Sequence, residues 1–487
     1  MKVWKRTLCL ALVLLTVLPL LFACKKKGDT DGDGSKEDSV TTLAPAGDEL
    51  PDTDWMGRTF RVLGRDGGAN TQFTTFEVYS ESVSKEVVPN AVWERNNALK
   101  EKYNFDISQK LENDAAATAQ LGYAAGEDNY DLVIYQITKV QAHAQTGYLA
   151  DLNLVPYMNF DKECWNSYAN KQLTMAGKLY YTVSDFLLSD KNRTYINVYN
   201  RELARQENLG YLEDLVTAGK WTLEEAKRLS TLVSKEVNGD NKHTEEDAFG
   251  VVMDSYNAFA AFSYGGGLRL TSVNKEGELT LSKVTTKTTD IISKVLDLTC
   301  DTNQAMFCND YKNNWAIAND TFYAGRALIS TTFPSVFETS LKEKCEFEFG
   351  ILPFPKYDEN QTTYYTIPDP TQSALFAIPA ASRDLNFVGF CLEALSEAST
   401  ETTLNAFYEV KCKLQDAYDL RCAQMLDLIF ENVVYDVAFV GDFGGLASLL
   451  KSDLPSKKMN LYYSMHKVRS SAAQIEIDKL IAAYTER

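Results

Sequence analysis

Positive charge is scarce in this sequence. Lys and Arg number 49 against 67 Asp and Glu, and the formal net charge is −18 at pH 7. Phosphate backbones are held by basic surfaces, so this balance argues against nucleic acid as a partner. Histidine is scarcer still: only His143, His243 and His466 occur, none at metal-ligand spacing from another. A zinc centre and a His-based catalytic triad are therefore not expected. No Cys-x-x-Cys occurs and no P-loop occurs. The run Gly64-x-x-Gly67-Gly68 is too loose for a dinucleotide fingerprint, and a structural turn explains it as well as ligand approach does. No cofactor is expected from these patterns. Long apolar runs are also missing, with one exception at the amino end. Leu8 to Ala23 is broken by Pro19 and is shorter than the roughly 20 residues a spanning helix needs.

That run has Lys2, Lys5 and Arg6 before it and Leu21-Phe22-Ala23-Cys24 at its end. It reads as an export signal, residues 1–23. Leu three positions before Cys24 and the small Ala23 beside it resemble a bacterial lipobox, in which the freed Cys24 carries a diacylglycerol thioether. Residues 24–56 then form a lipidated Cys and a polar tether rich in Lys, Asp, Gly and Ser. Asp29, Asp31 and Asp33 mimic half a calcium loop, but Val40 stands where a bidentate Glu is needed, so a solvated linker is expected. Cys164, Cys300, Cys308, Cys345, Cys391, Cys412 and Cys422 remain. Their odd number and scatter favour buried free thiols over a disulfide framework.

With 487 residues, 45% hydrophobic and 24% charged, the chain is an ordinary globular mix, long enough for two or three domains. Gly57–Gly64 reads as a first strand, followed by the polar turn Arg65–Asn70. A helix opens at Pro89, a second strand covers Tyr103–Ile107, and 113–124 is a short helix. Tyr130–Tyr135 is a near-continuous apolar strand, as a parallel strand covered on both faces should be, and a helix follows from about Lys139. This alternation implies a parallel sheet whose ligands sit at the carboxyl ends of the strands. The loops Arg65–Asn70 and Gln136–Thr138 are thus candidate ligand contacts. Gly177–Val183 reads as a further strand, and Asp185 after it suits either hydroxyl recognition or a turn cap. Tyr195–Tyr199 suits a buried strand, and Thr222 with Glu225 fits a capping box on a helix with an apolar stripe at Leu223, Ala226, Leu229, Leu232 and Val233. Oxygen-bearing side chains recur from Glu236 to Asp247 in a loose calcium-loop spacing, although a polar surface loop is the plainer reading and no metal site is expected.

Several phrases carry a family resemblance. "YNREL" at Tyr199–Leu203 followed by "GKWT" at Gly219–Thr222 is similar to the entry into the second lobe of family 1 extracellular solute-binding proteins, the maltose-binding-like receptors of ABC importers. "RNNALKEKYNFDI" (Arg95–Ile107), "YDLVIY" and "GYLADL" resemble that family's first-lobe phrases. Phe322–Ile329 resembles its return into lobe one, and Phe347–Pro355 its "FGV-x-P-x-P" strand. The resemblance spans about residues 57–487. It implies an α/β, two-lobed periplasmic-binding-protein-like fold of type II. Each lobe would be a mixed, mainly parallel sheet flanked by helices, with the ligand cleft at the hinge. Lobe one would comprise 57–183 plus 316–372, and lobe two 184–315 plus 373–487.

The function implied is that of a lipid-anchored extracellular receptor, monomeric and held at the outer face of the cytoplasmic membrane. It would capture a sugar, an oligosaccharide by preference, and pass it to ABC permease subunits without catalysis. Expected ligand-binding residues are Arg65, Asp66, Gln136, Asp185, Trp221, Tyr264, Trp315 and Phe333, combining polar groups for hydroxyls with aromatic faces for pyranose rings. Core packing is the competing role for each aromatic, and Trp221 could simply staple its helix start. The alternatives are an exported glycan hydrolase, which needs two carboxylates across a cleft, and a peptide or other-solute receptor or sensor subunit on the same fold.

Overall fold

In the computed structural model the described residues run from 49 to 486, apart from 69–72, 241–242, 275–277, 312–313 and 413–419. The expected signal 1–23, Cys24 and most of the tether lie outside them. The tether ends sooner than its composition suggests. The Trp55 ring stands 5.1 Å from Phe387 and 5.3 Å from Phe390, and the Trp55 backbone amide donates to the Tyr103 carbonyl at 2.9 Å. An indole buries too much apolar area to stay in a linker.

The first sheet grows from the expected alternation. β1 (Arg58–Arg65), α1 (Val87–Tyr103), β2 (Phe105–Glu112), α2 (Ala115–Ala124), β3 (Leu132–Gln136) and α3 (Ile137–Thr146) follow in order. β1 pairs in parallel with both β2 and β3. Phe60, Val62 and Leu63 are buried, as are Leu132 to Tyr135, because helices cover both faces. Asn104 ends α1 in the left-handed conformation at φ 51°, which Asn tolerates. Residues 177–183 are not a strand: they make only isolated bridges, Met175 with Lys178 and Thr182 with Phe376.

The second sheet has the order β10-β4-β9-β5-β8. Its strands are β4 (Ile196–Asn200), β5 (Phe249–Met253), β8 (Ala305–Phe307), β9 (Ala327–Thr332) and β10 (Phe349–Leu352). β6 (Thr271–Val273) and β7 (Leu279–Leu281) form a separate hairpin. β5 runs parallel to β8 and β9, whereas β4 runs antiparallel to β9 and β10.

The strand pairing corrects the expected lobe boundaries. Residues 316–372 are expected in lobe one, yet β9 and β10 lie in the second sheet. Residues 373–487 are expected in lobe two, yet β11 (Ala374–Ala377) pairs with β3 in the first sheet. The helix Leu385–Ser399 also sits on lobe one: Phe390 lies 4.9 Å from Tyr103, and Asp384 at its N-cap pairs with Arg58 at 2.7 Å. β9 is buried at all six residues, so its pattern carries no signal for which sheet receives it. The last helix, Tyr462–Thr485, touches both lobes. Tyr484 stacks edge-on with Tyr180 at 4.6 Å, while Asn460 just before the helix donates to Thr289 and Ser293.

Three stretches cross side by side between the sheets, within the single compact unit Leu43–Arg487. The Tyr195 amide donates to Ile367, and the Thr366 hydroxyl donates to the Tyr195 carbonyl at 2.6 Å. The Val434 amide donates to Thr366 at 2.8 Å. The crossings are therefore short extended segments tied to one another by backbone bonds, a geometry suited to hinge motion.

Candidate functional site

Strand direction brings two sheet edges together. In the first sheet Arg65 ends β1 and Gln136 ends β3. β11 runs the other way, and its first residue Ala374 sits opposite Gln136. In the second sheet Asp254 follows β5 and Phe333 follows β9. β4 is antiparallel, so its leading residue Tyr195 emerges at that same edge. The crossings at 193–195 and 366–373 join the two edges.

At this junction Arg65, Phe73, Gln136 and Gln372 line a gap of about 10 Å³, which admits at most one water. The Phe73 ring has two guanidiniums beside it, Arg65 at 5.1 Å and Arg193 at 5.2 Å from its centroid. Arg193 is buried, donates to the Gln372 side chain at 3.1 Å, and also approaches the Phe333 ring. Burial lowers its pKa to about 10, opposed by Asp369 and reinforced by repulsion from Arg65. Arg65 is half-buried and donates to the Thr371 carbonyl at 3.1 Å. Its pKa is lowered by burial, with Asp114 and Asp369 acting in the opposite direction.

Across from the arginines lies a hydrogen-bonded chain. The Tyr195 hydroxyl donates to Asp369 at 2.9 Å and lies 3.2 Å from the Ser255 hydroxyl. Ser255 in turn donates to Asp254 at 3.2 Å. Asp369 also accepts from the Thr371 amide and hydroxyl, the Gln372 amide and, at 3.4 Å, the Asn257 side chain. Burial, with the Asp369 charge second, raises the Asp254 pKa to about 7. The Phe333 ring packs 4.5 Å from Tyr195 and completes an apolar wall.

Of the eight expected contacts, Arg65, Gln136 and Phe333 meet here. Asp66 adjoins them, but its carboxylate accepts from the Gly68 amide at 2.8 Å and braces its own loop. The other four stand elsewhere. Asp185 accepts from Thr400 at 2.8 Å and faces Lys191 at 3.7 Å, tying down the end of the helix Leu385–Ser399. Trp221 is fully buried in lobe two and donates to the Pro353 carbonyl at 2.9 Å. Tyr264 is also fully buried, donates to Asp436 at 3.0 Å and packs on Phe439. Both aromatics are core residues. Trp315 is 64% exposed on the loop after β8. β8 parallels β5, so that loop leaves the same edge of the sheet as Asp254.

Phe73, Arg193, Tyr195, Asp254 and Asp369 are the residues that sequence reasoning missed. Asp254 could have been found: it is the first polar residue beyond the carboxyl end of an apolar strand. Asp369 and Arg193 lie in crossings with no periodic signal.

The loop Glu236–Asp247 closes on itself. Glu236 accepts from the amides of Asn238 and Gly239, and Asp247 accepts from those of Val237 and Thr244. Its two end carboxylates are thus committed to backbone groups, and Asn241 and Lys242 lie outside the described residues. Cys164, Cys300, Cys308, Cys345 and Cys391 are free thiols. Burial pushes the thiols of Cys164 and Cys345 up to about 12 and those of Cys300 and Cys308 to about 11, which leaves them unreactive. No helix among the described residues is long and apolar enough to cross a membrane.

No family model and no curated protein matches the sequence. Solved structures do match in fold. One is a cyclo/maltodextrin-binding protein complexed with maltotetraose, at TM-score 0.54 and 13% identity, covering 88% of this chain and 97% of that one. RafE from Streptococcus pneumoniae matches at TM-score 0.53 and 14% identity over 88% and 97% of the two chains. UspC from M. tuberculosis matches at TM-score 0.56 and 11% identity over 85% and 99%. Matches this long at such low identity define architecture: the chain has the two-lobed α/β fold of periplasmic-type solute-binding proteins.

Proposed function

We propose that this protein is a family 1 extracellular solute-binding protein that captures a carbohydrate between its lobes and delivers it to an ABC importer. The observation that carries the reading is the junction itself. Polar side chains from both sheets (Arg65, Gln136, Gln372, Asp254, Ser255) converge beside aromatic faces (Phe73, Phe333) on crossings built to bend. Such a mixture suits a sugar, whose hydroxyls need donors and acceptors and whose ring faces are apolar. The fold shared with a protein that binds maltotetraose supports the same reading. Trp315, exposed on the same edge, offers an outer platform for a second ring. In this reading the ligand enters with the lobes apart and is enclosed as they close.

In this reading Cys24 is lipidated after removal of residues 1–23 and anchors the receptor at the outer face of the membrane. Capture requires no bond to break, and no catalytic residues are assigned. The test is thermal unfolding of the purified protein against saccharides, peptides and polyamines. Ligand at about 100 times its Kd adds roughly 2.7 kcal/mol, a shift of a few degrees. A shift with one saccharide class, and the sugar recovered intact, supports the receptor. Cleaved sugar would turn the assignment to a hydrolase, and a shift with peptides alone would remove carbohydrate from it.

A further inference from the structure

A second cavity, of about 390 Å³, opens along α3. It lies between α3, the helix Val437–Gly441 and the last helix, and its walls include Thr138, Gln141, Gly441, Phe443, Glu476 and Lys479. Its size falls in the range of small-molecule sites, roughly 300–1,000 Å³. Gln141 is 4% exposed, yet its side-chain oxygen has no hydrogen-bond partner among the described residues. Turning the amide would put the nitrogen in the same place, equally unmet. Both polar atoms stand beside Gly441, where a Cβ would lie 2.5 Å from Oε1 and 2.7 Å from Nε2. The Gly441 φ is not in the left-handed region, so the backbone does not require glycine there. The glycine instead makes room for the amide. A buried amide without partners destabilises the unliganded protein, and a ligand that supplies them relieves the cost. The cavity also joins the junction. Gln136 ends β3 there, and its side-chain nitrogen donates to the Thr138 hydroxyl at 3.2 Å. Thr138 stands in the first turn of α3 and lines the cavity. From Gln136 to Gln141 the helix rises roughly 7.5 Å. Glu476 accepts from the Gly444 amide at 2.9 Å, and Lys479 follows it one turn along the last helix, so the walls carry both signs of charge.

We infer that this cavity is a further sugar-ring site, and that the ligand is a saccharide chain laid from the junction past Thr138 onto the Gln141 amide. This inference rests on the carbohydrate reading and deepens it. A primary amide offers donors and acceptors at once, and so does each sugar hydroxyl, so neighbouring hydroxyls of one ring satisfy both ends of Gln141. A carboxylate only accepts and would leave the amide oxygen unmet. Phe443 and Ala142 give the wall its apolar part.

The experiment is calorimetric titration with the di-, tri- and tetrasaccharides of the malto, cello, xylo and manno series. In at least one series the tetrasaccharide is expected to bind ten-fold or more tightly than the disaccharide, about what two added hydrogen bonds supply. Gln141→Leu should bring that ratio toward one. It should also raise the Tm of the unliganded protein, because it removes a buried amide that lacks partners. A purely structural Gln141 would instead lower the Tm on substitution and leave the ratio as it was. Gly441→Ala crowds the amide and should reduce the ratio too; it carries the test if Gln141→Leu fails to fold, which circular dichroism reports. Disaccharide and tetrasaccharide binding alike in every series, or a ratio that both variants leave unchanged, would overturn the inference and leave the carbohydrate reading standing. Failure of every saccharide would overturn both.

Discussion

Trp221 and Asp254 show how one residue's surroundings decide its role. Trp221 has the chemistry of a sugar platform, but its fully buried ring and its bond to Pro353 make it part of the lobe-two core. Trp221→Ala should therefore cost about 3–5 kcal/mol of stability, with ligand affinity unchanged at temperatures where the variant stays folded. A binding defect without a stability loss, seen by urea titration and calorimetry, would return Trp221 to the site. Asp254 is the opposite case. Its carboxyl pKa is raised from 3.8 to about 7, first by burial and then by Asp369. Between pH 4 and 7 the folded state keeps a proton that the unfolded state has released, so stability falls as pH rises through this window. The full shift is worth ~4 kcal/mol. Partial solvent contact screens it, so Asp254→Asn should gain on the order of 1–2 kcal/mol at pH 8 and nothing at pH 4. An equal gain at both pH values in urea melts would show that the carboxyl is not desolvated.

At the scale of elements, local signals were legible and addresses were not. The first three strands and helices of lobe one stand within a few residues of their expected places, because each has its own period and its own boundary residues. The Thr222 cap is real, accepting from the Glu225 amide at 3.2 Å. The reciprocal half of the box is absent, since the Glu225 carboxylate turns to Arg228 at 2.7 Å. What could not be read was which sheet a fully buried strand joins. β9 and β11 are buried throughout, and their partners are fixed by packing rather than by pattern. Helix glycines make the same point. In α2, a Cβ on Gly122 would meet nothing closer than Asn129 at 3.6 Å, so Gly122→Ala should stabilise by roughly 0.5–1 kcal/mol. In the helix Leu385–Ser399, a Cβ on Gly389 would lie 2.0 Å from the Pro156 carbonyl oxygen and 2.7 Å from Val155. The same substitution there should cost about 2–4 kcal/mol despite the better propensity. Equal effects of the two substitutions on thermal unfolding would contradict the close approach of helix and loop at Pro156.

The whole molecule determines what the site can do, because no single lobe contains it. Arg65 and Gln136 belong to the first sheet, Asp254 and Phe333 to the second, and Arg193 and Asp369 to the crossings between them. Their convergence depends on the angle between the lobes. A ligand that contacts both edges would favour the closed arrangement by its differential affinity for it. A compact chain of the span 49–486 has a radius of gyration of about 22 Å. Small-angle scattering should find a larger value without ligand and a fall of about 1 Å at saturation, following the same Kd as calorimetry. Asp369→Asn should weaken the fall more than the stability, because its carboxylate accepts from Tyr195 on one crossing and from Thr371 and Gln372 on another. Heat of binding with an unchanged radius would mean that one lobe alone holds the ligand, and the arginine pair beside Phe73 would then have to bind without Asp254 and Phe333 opposite it.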